Sequence, residues 1–327
     1  MAPSRPLPVR NAAPLKATQL AALLAFGGLT VWLWLDPGRS LAFFWSGILP
    51  LLPILILLHP SAWRNVCPLA SLSMGAGRSR ARPPGRAAGI LAPIVLLLML
   101  IAARPLGLDQ SGPATATLLL GLGTAAAWGR RADRKAGFCN RFCPLLAVER
   151  LYGQAPLLEV ENARCSSCTL CTRACLDLSP SAATAQALGP QRRDGGWMGG
   201  AAGVFAAIFP GVIVAFFLLP PSPGVLEVAA ALSGGALSSW ILTWVLVRLL
   251  RPPWAVAFRV LGALSAALFF IFALPGTAAA WGRPEYAGFL VVAALGLVVV
   301  WAVRDPARHR IRQAPSGRRS TAPPSRS

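Results

Sequence analysis

Long apolar runs constrain this chain more than any other feature of its sequence. Stretches near residues 17–35, 41–59, 88–103, 112–128, 198–219, 225–247, 254–274 and 287–303 carry almost no charge. Runs of this kind cross a hydrocarbon layer about 30 Å thick as single helices. Composition agrees: 55% of residues are hydrophobic and 13% are charged, whereas soluble domains carry about a quarter charged. The expected fold is therefore all-α, a polytopic transmembrane bundle of about eight spans. The 88–103 run is short, and the cluster Pro220, Pro221, Pro223, Gly224 separates the fifth run from the sixth.

A net charge of +20 on a soluble protein would suggest nucleic acid as a partner. Position decides otherwise. Of the 31 lysines and arginines, all but Arg39, Arg104 and Arg283 fall in alternate connections and the two termini. They occupy the arm through Lys16, the 60–87 and 129–197 segments, the turn bracketed by Arg248, Arg251 and Arg259, and the tail. That is the positive-inside pattern. It predicts a multi-pass protein of the cytoplasmic (inner) membrane with both termini cytoplasmic, partnered by the lipid bilayer and by no nucleic acid. The chain then divides into a basic arm (1–16), a four-span region (17–128), a cytosolic segment (129–197), a second four-span region (198–303) and a basic tail (304–327) expected to be disordered. No small-x-small cleavage pattern precedes Asp36, so the first run reads as a retained anchor. Trp32, Trp34, Trp45 and Trp281 fall at expected outer ends of spans, and Trp63, Trp128, Trp244, Trp254 and Trp301 at inner ends, as interfacial belts require.

All seven cysteines lie on the cytosolic side of this scheme. Cys165, Cys168, Cys171 and Cys175 have the spacing C-x2-C-x2-C-x3-C, in which two-residue gaps let thiolates converge on one cubane iron-sulfur cluster. Zinc sites usually set two C-x2-C pairs a dozen or more residues apart, and disulfides seldom persist in the cytosol. A tandem repeat supports the same chemistry. Trp63-Arg-Asn-Val-Cys67-Pro68-Leu69-Ala70 follows the second run, and Cys139-Asn-Arg-Phe-Cys143-Pro144-Leu145-Leu146-Ala147 follows the fourth. Proline after a ligand fixes the following φ and lets the chain leave at a defined angle.

With these motifs the chain resembles the polytopic iron-sulfur membrane proteins associated with periplasmic nitrate and nitrous oxide reduction and with cytochrome oxidase assembly. The resemblance covers about residues 17–180. It implies membrane hairpins ending in C-x3-C-P, a ferredoxin-type segment on the cytoplasmic face, and electron relay to a membrane or periplasmic partner. Trp63 stands where the family's first motif has a cysteine, and one ferredoxin-type loop is present where the family usually has two.

Seven thiols complete one 4Fe-4S cluster and leave three. The cofactor-binding and metal-ligand candidates are Cys165, Cys168, Cys171, Cys175, Cys143, Cys139 and Cys67. In two-cluster ferredoxins the fourth cysteine of such a loop serves the other cluster. Cys175 could accordingly join Cys139 and one of Cys67 or Cys143 around a second cluster, or Cys67 and Cys139 could remain unligated thiols. No residue is assigned a catalytic role. His59 and His309 are the only histidines, so a bis-histidine haem within the spans is excluded. His59 either caps its span or faces iron or a quinone, and Glu227 reads as an interfacial carboxylate. Gly121-Leu-Gly123 and Ser233-Gly-Gly-Ala-Leu-Ser-Ser239 read as helix-packing surfaces, and Pro144–Gly153 as a short helix lying on the membrane.

The function expected is a single-electron relay between a cytosolic ferredoxin or flavoprotein and the quinone pool or a membrane redox complex, as a carrier or as a subunit of an oxidoreductase. The alternatives are a redox-sensing or metalloenzyme-assembly protein, and a transporter with a structural metal loop.

Overall fold

A computed structural model describes residues 12–74, 88–132, 137–162, 175–189 and 196–304. Among the described residues the chain is all-helical and has no strand. Six segments among the described residues are long and apolar enough to cross a membrane: Ala13–Leu35, Pro37–Leu58, Gly89–Leu108, Val225–Leu250, Trp254–Ala280 and Pro284–Val303. They account for six of the expected runs. The 112–128 run lies in a 21-residue helix, Gly112–Ala132, whose threonines, glycines and terminal arginines leave it less apolar than the six. The 198–219 run forms Ala201–Phe217, a helix of 17 residues. At 1.5 Å per residue that is about 25 Å, short of a full hydrocarbon core.

Proline writes the boundaries of the first half. Helix α1 (Ala12–Leu35) ends before Asp36, whose carboxylate accepts from Arg39 N–H at 3.3 Å and caps α2 (Pro37–Leu41). The chain continues through a π-helical stretch (Ala42–Ile48) into α3 (Leu49–Leu58). Two X-Pro steps then cut the helix. His59 and Cys67 are both extended and precede Pro60 and Pro68, the first residues of α4 (Pro60–Val66) and α5 (Pro68–Ser73). A residue before proline is driven out of the helical region, whereas proline itself suits a first helical position. His59 Nδ1 accepts from Ser61 N–H at 2.9 Å, so this buried histidine does cap a helix.

Helices α6 (Ala88–Ala103) and α7 (Gly112–Ala132) come next, linked by a turn, α6 packing on α8 and α10 and α7 on α1 and α5. At this turn Arg104 pairs with Asp109 at 3.1 Å and lies 5.0 Å from the Trp45 ring centre and 5.2 Å from that of Phe216. A cation over an aromatic face is favourable, so Arg104 joins the first half to the second. The later helices are α8 (Leu146–Tyr152), α9 (Pro180–Leu188), α10 (Ala201–Phe217), α11 (Val225–Leu250), α12 (Trp254–Ala280) and α13 (Ala287–Val303). Glu227 accepts from Gly224 N–H at 2.8 Å at the start of α11, a helix-capping role.

Helix α8 departs from the expected surface helix. Leu146, Ala147, Val148, Glu149, Leu151 and Tyr152 are all buried, and α8 packs against α3, α6, α9, α10 and α12. Gly262 of α12 makes room for it, because a Cβ there would lie 3.1 Å from the Leu151 carbonyl oxygen and 3.0 Å from the Trp301 ring. The main apolar core forms around this helix, with Ile56, Leu57, Trp197, Phe205, Phe258 and Phe270. Trp301 is wholly buried in that core, and Trp45 is buried in a separate cluster with Leu33, Leu41 and Leu119, so neither is a belt residue. Trp34, Trp128, Trp244 and Trp281 are exposed, as a belt requires.

The small-residue surface on α11 is a close helix contact. A Cβ on Gly211 of α10 would overlap the Gly235 carbonyl, and Ser239 Oγ donates to the Ala207 carbonyl at 2.7 Å. Gly211→Val is expected to destabilise the bundle by about 1–3 kcal/mol through overpacking, read as a lower unfolding temperature in detergent. Gly234→Ala meets open space and is the matched control.

Candidate functional site

The site begins with two Cys-Pro turns. Cys67 stands between α4 and α5, its N–H bonded to the Trp63 carbonyl at 2.9 Å and its carbonyl to Ser71 N–H at 3.1 Å. The second turn winds around one acceptor: the Phe138 carbonyl receives N–H groups of Arg141, Phe142 and Cys143. Phe138 N–H in turn donates to Ser73 Oγ at 3.1 Å, which ties this turn to the end of α5. Gly129 of α7 lets the turn approach, since a Cβ there would overlap Phe138.

These contacts bring Cys67, Cys139 and Cys143 into one buried apolar pocket with Ala70, Met74, Ala126, Phe138 and Leu146. Thus the sequence repeat corresponds to a spatial one. Cys175 is half-buried, and the next residue, Leu176, lines the same pocket. The Cys175 carbonyl accepts from Leu178 and Ser179 N–H, and Pro180 opens α9. Cys165, Cys168 and Cys171 lie outside the described residues, as do residues 1–11 of the arm, the tail from 305 onward and His309.

Beside the pocket is a group of charges that the sequence reading missed. Arg64 of α4 donates to Glu149 of α8 at 2.8 Å and lies 3.5 Å from Asp177. Ser61 Oγ donates to Asp177 at 3.2 Å. All three charged side chains are at most 3% exposed. Arg64 had counted only toward topology, and Glu149 only as the polar face of a surface helix. Composition gave no signal for them: six of the chain's 11 acidic residues, Glu149 and Asp177 among them, lie in the 129–197 segment.

Electrostatics follow from burial. Desolvation works against the Arg64 cation, but Glu149 and Asp177 outweigh it and hold its pKa above the ordinary value. Burial leads at Glu149 and keeps its carboxyl above the usual range despite Arg64. Burial also raises the three pocket thiols, Cys139 to about 12 against the opposing effect of Arg64. Thiols in such a pocket stay neutral until a cation displaces their protons.

The donor set fits an iron-sulfur cluster in its chemistry. Cys67, Cys139 and Cys143 are all thiols, buried among apolar side chains, and the Arg64 cation beside them favours the thiolate form of Cys139. Among the described residues no three His, Cys, Asp or Glu side chains form a group able to hold a single metal ion. A cubane takes its thiolates at separate iron corners, so its ligands stand further apart than those around one ion. No family model, curated protein or solved structure matches the chain.

Proposed function

We propose that this chain is a membrane-bound iron-sulfur protein that relays single electrons between a cytosolic donor and the quinone pool or a membrane redox complex. The observation that carries the reading is the convergence of Cys67, Cys139 and Cys143, from two separate Cys-Pro turns, beside the foot of the C-x2-C-x2-C-x3-C loop. Such a loop is the signature of 4Fe-4S binding. Cys165, Cys168 and Cys171 would hold one cluster, with Cys175, Cys143 or Cys67 as the fourth ligand. When bound, the cluster supplies one-electron redox chemistry.

The chain's own residues supply the setting. Met74, Phe138, Leu146 and Leu176 exclude water from the pocket, and low solvent exposure helps to set a cluster's potential. The six apolar helices keep the site at a bilayer, and the basic segments support a cytosolic orientation with both termini inside. A ferredoxin or flavoprotein is the soluble donor class proposed.

An anaerobic redox titration followed by electron paramagnetic resonance tests this reading. The expected result is a reversible one-electron cluster signal that a quinone analogue reoxidises rapidly. A cluster that only bleaches slowly in oxygen would instead mark a sensor or assembly protein.

A further inference from the structure

The buried triad has a cost that packing alone does not explain. Removing three charges from water is unfavourable, and apolar replacements for such groups are often as stable or more so. Position suggests what the triad does. Arg64 precedes Cys67 by one helical turn, Glu149 sits on the helix that follows Cys143, and Asp177 follows Cys175 by two residues. One guanidinium therefore joins the three segments that carry the pocket thiols and the last cysteine of the loop. Arg64 and Ser61, both on α4, anchor Asp177. Leu176, between Cys175 and Asp177, packs among Cys67, Cys139 and Cys143. Further on, Thr184 Oγ1 donates to the Arg150 carbonyl at 2.8 Å, fixing α9 to α8.

We infer that Asp177, held by Arg64 and Ser61, is a positioning residue that fixes Cys175 beside the Cys67, Cys139 and Cys143 pocket, so that this cysteine serves the pocket thiols' site and not the cluster of its own loop. The inference deepens the proposed function and rests on it for the identity of the ligand. The placement of Cys175 itself needs no metal.

A metal-free chain with Cys165, Cys168 and Cys171 all replaced by serine retains the other four thiols. Treatment with dibromobimane, which bridges neighbouring thiols, followed by peptide mapping reads which pairs were joined. Bridges from Cys175 to Cys67, Cys139 or Cys143 are expected. Asp177→Ala should lower their yield at least about tenfold, the scale of losing a charged hydrogen bond. Bridges among Cys67, Cys139 and Cys143 should persist, which shows that the pocket is intact. If Asp177→Ala does not accumulate, Ser61→Ala and Asp177→Asn weaken the same anchors and should give an intermediate loss. Unchanged Cys175 bridging in these variants, or a parent that bridges only the pocket thiols, overturns the inference. An iron-free wild type with normal bridging would sink the electron-relay reading and leave the positioning role standing.

Discussion

Replacing Arg64 by alanine is expected to destabilise the folded chain by about 3–5 kcal/mol, the usual consequence of stranding a buried charge. The substitution leaves Glu149 and Asp177 facing each other, both at most 3% exposed and without their common cation. Proton uptake is the available relief. Burial already holds the Glu149 carboxyl above its ordinary range with Arg64 present, and loss of Arg64 raises it further. A carboxyl whose folded pKa exceeds its unfolded value contributes stability at low pH and loses it as pH rises through the folded pKa. The deficit should therefore be smaller near pH 5 than near pH 8. Unfolding of the detergent-solubilised chain at both values measures it. Arg64→Met combined with Glu149→Leu and Asp177→Leu should recover most of the loss, because an apolar set carries no desolvation penalty. Equal loss in single and triple variants would mean that the Arg64 side chain acts through shape alone.

Cys168→Ser is expected to remove one cluster, about four irons per chain, while leaving the helices folded. Cys168 is the second of the four cysteines in the C-x2-C-x2-C-x3-C loop, and the serine that replaces it is a far poorer iron ligand than a thiolate. The readouts are iron content, the visible absorption of the cluster, and helical circular dichroism as the folding control. Cys139→Ser distinguishes one cluster from two. With a single cluster it leaves iron unchanged. With a second cluster in the Cys-Pro pocket it removes that one alone.

The membrane character was legible because runs such as 225–247 and 254–274 are long and apolar, with Arg248, Arg251 and Arg259 gathered at the turn between them. Span number was harder to read. Ala201–Phe217 stops at 17 residues before Leu218 and the proline cluster, and Gly112–Ala132 is diluted by small and polar residues. The Cys-Pro repeat marked two breaks in the chain, because proline drives the residue before it out of the helical region, but nothing in the repeat said that the two turns would meet. Helix α8 misled for a physical reason. Its alternation of Leu146, Val148 and Leu151 with Glu149 and Arg150 looks amphipathic when the partner of Glu149 is unknown. That partner, Arg64, is 85 residues away in sequence, and no local pattern reveals such a pair. Trp301 was likewise indistinguishable from a belt residue until Gly262 opened a slot for its ring.

Iron and acid-labile sulfide analysis of anaerobically purified full-length chain tests the central claim most directly. The account predicts a brown preparation with at least about four irons and four sulfides per chain, about four of each being lost when Cys165, Cys168 and Cys171 are replaced by serine. A colourless, iron-free preparation of folded protein, or one that carries zinc in iron's place, would contradict it.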